Sequence, residues 1–229
     1  MVSPATVVPE LTMNPRILTI VLLVAAVFSA IALVPRLLAM RLPGNHAGFE
    51  PEQPIAFSHR LHSGELNINC QYCHSGAERS RHAGIPAAST CMNCHGFISA
   101  RRADVRAEED LAKKEHRKPR LVVSPEIRKL YTALALDPKM QRDFSKATQP
   151  ILWMRVHQVP DFVYFDHRPH VAAGMECQKC HGPVETMERV RQIESLNMGW
   201  CVNCHRGRDG TIVKGHPAKA NSDCSACHF

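Results

Sequence analysis

Five copies of the pattern Cys-x-x-Cys-His account for all ten cysteines of the chain. Two thiols at this spacing can form thioether bonds with the two vinyl groups on one edge of a porphyrin, and the histidine that follows then lies beneath the iron as an axial ligand. A zinc ribbon or a disulfide framework also uses paired cysteines, but neither requires a histidine after every pair. The pattern therefore predicts five covalently bound haem c groups.

The five predicted attachment sites are numbered 1 to 5 in chain order. In each site the two cysteines are expected to bind the porphyrin and the histidine to bind the iron. Site 1 consists of Cys70, Cys73 and His74, site 2 of Cys91, Cys94 and His95, site 3 of Cys177, Cys180 and His181, site 4 of Cys201, Cys204 and His205, and site 5 of Cys224, Cys227 and His228.

Second iron ligands are available in sufficient number. A six-coordinate haem iron needs two axial ligands, and nine of the 14 histidines lie outside the five motifs. Two pairs of them stand three residues apart, shortly before a motif: His59 with His62, and His167 with His170. Residues i and i+3 are neighbours on a helical turn. Each pair is therefore expected to bind two different irons and to hold two porphyrins close together.

The two histidine pairs belong to a sequence repeat. Phe-x-His-x-x-His begins at Phe57 and again 108 residues later at Phe165, and the first copy is followed by two motifs and the second by three. This predicts a duplicated module, with sites 1 and 2 in residues 55–99 and sites 3, 4 and 5 in residues 151–229. In the connecting segment, residues 100–150, Ser124 and the apolar residues that follow it predict a capped helix.

An uncharged apolar run from Ile17 to Val34 would span roughly 27 Å as a helix, about the thickness of the hydrocarbon core of a bilayer. It is longer than the core of a typical signal peptide and ends at Pro35 and Arg36 without a small-residue cleavage site. We therefore expect a cytoplasmic tail over residues 1–16, a transmembrane helix over 17–40, and a haem domain over 41–229. Haem c is attached outside the cytoplasmic membrane, so the haem domain is expected on the periplasmic face of the inner membrane.

The composition narrows the fold class and the partners. A net charge of +7 is basic, but five ferric haems with their propionates would bring about −5 and leave roughly +2. Aromatic residues make up only 6% of the chain, and no interleaved basic and aromatic pattern suggests binding to nucleic acid. Because porphyrins would supply much of the apolar interior, we expect mainly short α-helices and loops around five haems, with little β-structure.

Two families share these patterns. Phe-x-His-x-x-His followed by Cys-x-x-Cys-His resembles the cytochrome c3/c7 class of multihaem cytochromes. The pentahaem membrane-anchored subunit of bacterial alternative complex III is similar to the stretch "WMRVHQVPDFVYFDHRPHVAAGMECQKCHGPVETMERVRQIESLNMGWCVNCHRG". That resemblance implies an electron-transfer subunit of a quinol-oxidising respiratory complex, without a substrate site of its own. It also implies a multi-span quinol-binding subunit and other periplasmic redox subunits as partners, and a soluble cytochrome c or a terminal oxidase as the electron acceptor.

The c3/c7 resemblance also implies an assignment of ligands. In that pattern the first histidine of a pair binds the iron of the next motif and the second binds a later one. His59 would then serve site 1, His167 site 3, and His170 site 5. Three histidines remain candidates for site 2, namely His62, His82 and His157. Site 4 has no histidine shortly before it but has Met198, whose thioether would raise the haem potential.

Two other functions remain open. A stand-alone quinol dehydrogenase with one membrane helix and four or five haems would feed a periplasmic reductase and would bind quinol itself. A multihaem reductase of nitrite or sulfur oxyanions would need one five-coordinate iron. The surplus of histidines disfavours that reductase, as does the absence of the lysine-containing motif variant of pentahaem nitrite reductases.

Haem content tests the motif interpretation directly. A pyridine haemochrome assay on the purified protein is expected to give five haems per chain, because each of the five motifs offers two thiols and one imidazole. Three haems or fewer would contradict the prediction of a continuous chain of redox centres.

Overall fold

The structure, a computed structural model, describes residues 14–39 and 46–228. The chain divides into two units, Met1–Leu42 and Pro43–Phe229. Most of the predicted cytoplasmic tail, and residues 40–45 between the two described ranges, lie outside the described residues.

The first unit contains one long helix, α1, over Pro15–Ala39. It begins at a proline, whose fixed φ and missing N–H suit the first helical position, and the Asn14 side chain accepts a hydrogen bond of 3.0 Å from the Arg16 N–H. The stretch Pro15–Arg36 has a mean hydropathy of 3.0, and none of its most apolar window is buried. By length and composition, this helix is long and apolar enough to span a membrane.

The second unit consists of short helices and loops. Its α-helices are α2 (Cys70–Cys73), α3 (Ala88–His95), α4 (Arg102–Lys114), α5 (Pro125–Ala133), α6 (His167–Ala173), α7 (Gln178–His181) and α8 (Met198–His205). A π-helical turn covers Arg60–Glu65, and 3₁₀ turns cover Ser75–Glu78, Val184–Thr186 and Cys224–Ala226. The strands β1 (Ile212–Val213) and β2 (His216–Pro217) form one antiparallel pair. The prediction of mainly short helices and loops with little β-structure is confirmed.

Side-chain caps start several of these helices just before the functional residues. The side chains of Asn69, Asp166 and Asn197 accept hydrogen bonds from backbone N–H groups of α2, α6 and α8, respectively. Asparagine and aspartate favour this position because their oxygens satisfy N–H groups that have no partner within the helix. The caps therefore fix where each helical turn begins, and with it the direction of the cysteines and histidines that follow.

The connecting segment packs beside site 2. Ser124 caps α5 as predicted, accepting a hydrogen bond from the Ile127 N–H at 3.3 Å. Leu130 and Tyr131 of α5 are buried, and the Tyr131 hydroxyl donates a hydrogen bond to the carbonyl oxygen of His95. Helix α5 thus lies against α3, the helix that contains site 2.

The protein core of the second unit is small. The buried apolar side chains among the described residues are those of Ala112, Leu130, Tyr131, Ala135, Val156 and Ala218. None of the ten cysteines is paired with another in a disulfide, which argues against a disulfide framework. A unit of this length ordinarily buries far more apolar surface. Its interior therefore needs an additional apolar component.

One close approach fixes the π-helical turn that contains His62. The turn packs against the 3₁₀ turn Val184–Thr186, and the Arg60 N–H donates a hydrogen bond of 2.9 Å to the Met187 carbonyl. Gly64 lies at the contact, where an added Cβ would overlap the carbonyl oxygen of Glu185. This contact joins the first histidine pair to the loop that follows site 3.

The substitution Gly64→Ala is expected to destabilise the protein by about 1–3 kcal/mol, the usual cost of overpacking. Thermal unfolding of the haem-loaded protein, followed in the Soret band, would measure the loss. Gly199→Ala is the matched control, because its Cβ would meet only the Asn197 side chain at an ordinary 3.5 Å. Equal melting temperatures for the two variants would contradict the contact.

Candidate haem sites

Four of the five motif histidines are oriented by hydrogen bonds to backbone carbonyls. The Nδ1–H of His74 donates to the carbonyl oxygen of Gly84 at 2.7 Å, and that of His95 to the carbonyl oxygen of Ile98 at 2.8 Å. The Nδ1–H of His205 donates to the carbonyl oxygen of Asn221 at 2.6 Å, and that of His228 to the carbonyl oxygen of Phe162 at 3.4 Å. A carbonyl oxygen can only accept, so the proton sits on Nδ1 and Nε2 presents a lone pair. This is the arrangement by which proteins orient histidine ligands of metals.

Four motif histidines each face a second imidazole ring. The ring centres lie 6.4 Å apart for His59 and His74, 6.1 Å for His62 and His95, 6.3 Å for His167 and His181, and 6.0 Å for His170 and His205. The pairs involve sites 1, 2, 3 and 4 in that order.

These separations fit an iron held between two imidazoles. With metal–nitrogen bonds of about 2 Å, the usual length for imidazole ligands, two rings bound end-on to one ion have centres roughly 6.3 Å apart. The four observed distances lie between 6.0 and 6.4 Å. The residues present therefore fit haem iron at sites 1 to 4, with histidine on both faces.

The repeat predicted from the sequence recurs in the geometry. His59 and His167, the first members of each pair, lie nearly parallel to their partners, with interplanar angles of 3° and 4°. The second members, His62 and His170, are inclined by 61° and 45°. They also share an anchor, since each donates Nδ1–H to the carbonyl four residues earlier at 2.8 Å, that of Ser58 and Asp166, respectively.

The phenylalanine of Phe-x-His-x-x-His was given no role in the sequence analysis, yet it contacts both histidines of its copy. The Phe57 ring lies 4.9 Å from His59 and 4.3 Å from His62. The Phe165 ring lies 4.8 Å from His167 and 4.8 Å from His170. One aromatic ring thus supports two ligands in each copy. Its recurrence at the same offset was the signal that could have revealed it.

Arg81 connects the two copies and carries no sequence signal of its own. Its guanidinium donates to the carbonyl oxygens of Phe165 (3.0 Å) and Val163 (3.3 Å) and lies over the Tyr164 ring, 4.3 Å from the ring centre. Its own carbonyl accepts the Nδ1–H of His167 at 2.8 Å. A residue between sites 1 and 2 therefore orients a histidine that faces site 3.

Burial keeps the imidazoles of His59 and His181 neutral. Desolvation, followed by the nearby His74, lowers the pKa of His59 to about 4. Desolvation, followed by the nearby His157, lowers the pKa of His181 to about 3. A neutral imidazole is the form that binds a metal ion. Both rings are therefore ready to bind iron at neutral pH.

Two assignments made from the resemblance disagree with the positions of the side chains. His170 was assigned to site 5, but its ring faces His205 of site 4. Met198 was the candidate for site 4 and lies at the start of α8, but the side chain found opposite His205 is that of His170. The reason is tertiary packing, because helix α6 directs His170 toward α8. The distance between two residues in the sequence does not indicate which helices lie opposite each other.

The three candidates for site 2 are separated by the geometry. The His62 ring faces His95. His82 is exposed, and its neighbour Arg81 rather than His82 holds the second copy. His157 lies elsewhere, with its ring 4.3 Å from that of His181 and inclined by 80°.

Site 5 differs from the other four. The ring beside His228 is the phenyl ring of Phe162, at 5.7 Å, and no second histidine faces it among the described residues. The backbone around the site is nevertheless fixed, because the Tyr164 N–H donates a hydrogen bond of 2.7 Å to the Cys227 carbonyl. His228 itself forms a β-bridge with Val163.

Electrostatic interactions between thiols reveal which sites are neighbours. Burial raises the pKa of each of four thiols, and a thiol of another site raises it further. Cys73 of site 1 interacts with Cys91 and Cys94 of site 2, Cys177 of site 3 with Cys70 of site 1, Cys180 of site 3 with Cys204 and Cys201 of site 4, and Cys201 of site 4 with Cys227 of site 5. Sites 2 and 1, 1 and 3, 3 and 4, and 4 and 5 therefore lie near one another, in the order 2–1–3–4–5.

The chain is similar to known cytochromes. Residues 163–229, which contain sites 3, 4 and 5, match the family described as "Cytochrome c7 and related cytochrome c". The chain is also 26% identical, over a 202-residue alignment covering 78% of each chain, to the "Menaquinone reductase, multiheme cytochrome c subunit" of Nitratidesulfovibrio vulgaris Hildenborough. The predicted likeness to the c3/c7 class is thus confirmed for the C-terminal residues, and a cytochrome c family implies covalently bound haem c.

Electron paramagnetic resonance can decide between His170 and Met198 at site 4. His170→Ala is expected to convert one low-spin ferric haem into a high-spin form, because an iron that loses one axial ligand becomes five-coordinate. Met198→Leu is the matched control and is expected to leave every low-spin signal in place. The reverse pattern would restore methionine as the ligand.

Proposed function

We propose that this chain is a membrane-anchored electron-transfer subunit of a quinone-linked respiratory complex, and that it holds five haem c groups at sites 1 to 5. The observation that carries the proposal is the set of four opposed imidazole pairs, each at the separation that one iron ion requires.

The count of five is supported by site 5 and by the small core. Site 5 has both thiols, and its histidine is oriented by a backbone carbonyl as at sites 1, 2 and 4. Five porphyrins would supply the apolar interior that the few buried side chains leave missing, since burial of apolar surface is the main driving force of folding.

The proposed electron path follows the order 2–1–3–4–5. Bound haem iron supplies the chemistry, the exchange of one electron between its ferric and ferrous states. The chain's own residues fix which sites adjoin and hold their ligands still. The Cys70 and Cys177 thiols lie in contact between sites 1 and 3, which is where the two copies of the repeat meet.

The ligand set suits electron transfer rather than substrate chemistry. Histidine on both faces of sites 1 to 4 leaves no open position on those irons, and it gives lower potentials than a methionine ligand would. We propose that the sites act only as relays and that quinone binds to another subunit. No acid–base or nucleophilic cluster was found in the sequence that could serve as a separate active site.

The membrane arrangement and the partners follow from the anchor and the resemblance. Helix α1 would cross the inner membrane once, with the haem domain on the periplasmic face, where haem c is attached. A multi-span quinol-binding subunit and other periplasmic redox subunits would complete the complex. As in alternative complex III, quinol would be the donor, and a soluble cytochrome c or a terminal oxidase would be the acceptor.

The opposite direction of electron flow is the second candidate. The relative from Nitratidesulfovibrio vulgaris is named as a subunit of a menaquinone reductase, so in that complex the name indicates that menaquinone receives electrons. A relay of haems works in either direction, and the potentials of the two ends decide which. The same chain would then deliver electrons to the quinone pool.

Haem reduction in the purified complex, solubilised gently from membranes, tests the proposal. A menaquinol analogue is expected to reduce the haems of the complex but not those of the isolated chain. Mass spectrometry of the co-purifying chains would identify the quinone-binding partner. Reoxidation of the reduced complex by a menaquinone analogue would measure the reverse direction.

The isolated chain provides the decisive control. Reduction of the isolated chain by the quinol analogue, at the rate seen for the complex, would identify a stand-alone quinol dehydrogenase instead. If neither sample exchanges electrons with quinol or quinone, the quinone-linked function is wrong. The haem count would still stand in that case, because it is measured separately.

A further inference from the structure

The loop over residues 79–84, called here the bridging loop, offers backbone carbonyls to ligands of two different sites. Its Gly84 carbonyl accepts the Nδ1–H of His74, the motif histidine of site 1, at 2.7 Å. Its Arg81 carbonyl accepts the Nδ1–H of His167, which faces site 3, at 2.8 Å, and the backbone N–H of the same histidine at 3.2 Å. One short segment therefore orients a ligand on each side of the junction between the two halves.

The bridging loop serves the two sites at which the imidazole rings are parallel. His74 lies at 3° to His59, and His167 lies at 4° to His181. At sites 2 and 4, where the rings are inclined, the accepting carbonyls belong to residues outside the loop, namely Ser58, Ile98, Asp166 and Asn221. The parallel geometry thus goes together with a shared support for sites 1 and 3.

The bridging loop is held in shape by the 3₁₀ turn that precedes it. The Gly76 N–H donates a hydrogen bond to the Ala83 carbonyl at 3.2 Å, and the Ser80 N–H donates to the Gly76 carbonyl at 2.7 Å. An added Cβ at Gly76 would lie 2.6 Å from the carbonyl oxygens of both His82 and Ala83. The close approach therefore needs glycine, and it fixes the loop to the first half of the repeat.

The Arg81 side chain ties the bridging loop to the second half. Its guanidinium donates to the carbonyl oxygens of Phe165 and Val163 at 3.0 and 3.3 Å, and it lies over the Tyr164 ring. These residues come just before α6, the helix that begins with His167 and packs against the 3₁₀ turn Ser75–Glu78. A planar guanidinium with two acceptors and a ring beneath it fixes both distance and direction.

We propose that Arg81 is the positioning residue of this junction: it holds the backbone before α6 so that the bridging loop orients His167 for site 3 together with His74 for site 1. This inference rests on the proposed haem ligation. A hydrogen bond from Nδ1–H fixes the orientation of an imidazole ligand and raises its basicity. Because a more basic ligand favours ferric over ferrous iron, the bond to the Arg81 carbonyl lowers the reduction potential of the site 3 haem.

The test compares variants of the full chain in the haem-loaded complex, by potentiometric titration and electron paramagnetic resonance. Arg81→Met removes the donors that hold the second half. It is expected to raise the midpoint potential of one haem and to shift the g-values of one low-spin signal, because g-values depend on the angle between the two imidazole planes. Arg81→Lys keeps the charge but not the planar fork, and it is expected to give a smaller shift in the same direction.

Arg79→Met is the matched control, because Arg79 is an exposed residue of the same loop with the same charge. Loss of a positive charge by itself favours ferric iron and lowers a potential, which is opposite in sign to the effect expected of Arg81→Met. Potentials that fall equally in both methionine variants would reveal a charge effect alone and overturn the inference. Unchanged potentials and g-values in Arg81→Met would also overturn it.

Gly76→Ala tests whether the loop supports both sites. Its Cβ displaces two carbonyls of the bridging loop, so two low-spin signals are expected to shift, against one in Arg81→Met. If this variant does not accumulate, Ala83→Gly, which gives the same loop more backbone freedom, is expected to broaden the same two signals. A change confined to one signal would contradict the shared support. The wild-type protein tests the proposed function separately, since a lack of low-spin haem signals there would contradict the ligation itself.

Discussion

Hydrogen bonds from imidazole Nδ1 to backbone carbonyls determine the rest of this structure. They fix the direction of the ring and leave Nε2 free to face an iron in seven of the predicted iron ligands, namely His62, His74, His95, His167, His170, His205 and His228. The accepting carbonyls belong to residues such as Gly84, Ile98 and Asn221, which lie in loops close to the motif in sequence or in space. The conformation of these loops therefore matters as much as that of the helices, because the loops supply the carbonyls that orient the histidines. This explains how a unit with little regular structure can present four ligand pairs at nearly equal separations.

The repeat shows how one short sequence phrase can place histidines at two of the predicted haem sites. In each copy a helical turn offers two histidines to different motifs, and a phenylalanine packs against both rings. The family match covers only the second copy and the site that follows it. The first copy, though outside that match, has the same parallel first pair and the same inclined second pair. The angles between the histidine rings thus relate the two halves of the chain, whereas the family match covers only the second half.

The junction of the two halves is the least regular part of the array. Arg81 of the first half holds the backbone of the second half, and the thiols of sites 1 and 3 touch. The ring of His157, near the start of the second half, packs against His181 of site 3. If the two copies of the repeat form one electron relay, contacts between the copies are needed, because two copies that folded separately would not bring their haem sites together. The side chains at this joint are consequently absent from the repeated phrase.

The sequence alone determined the motifs, the histidine pairs at i and i+3, the apolar span of α1 and the shortage of strand, because each depends on residue type and short spacing. Ser124 as the α5 cap could also be predicted, since capping is a local interaction. Only the tertiary structure decided that His170 rather than Met198 lies opposite His205 of site 4, and that the sites adjoin in the order 2–1–3–4–5. These depend on which turn lies across from which, and chain distance carries no information about that. Arg81 could not be assigned for the same reason, because the carbonyls that it binds are 82 and 84 residues away, in the other half of the repeat.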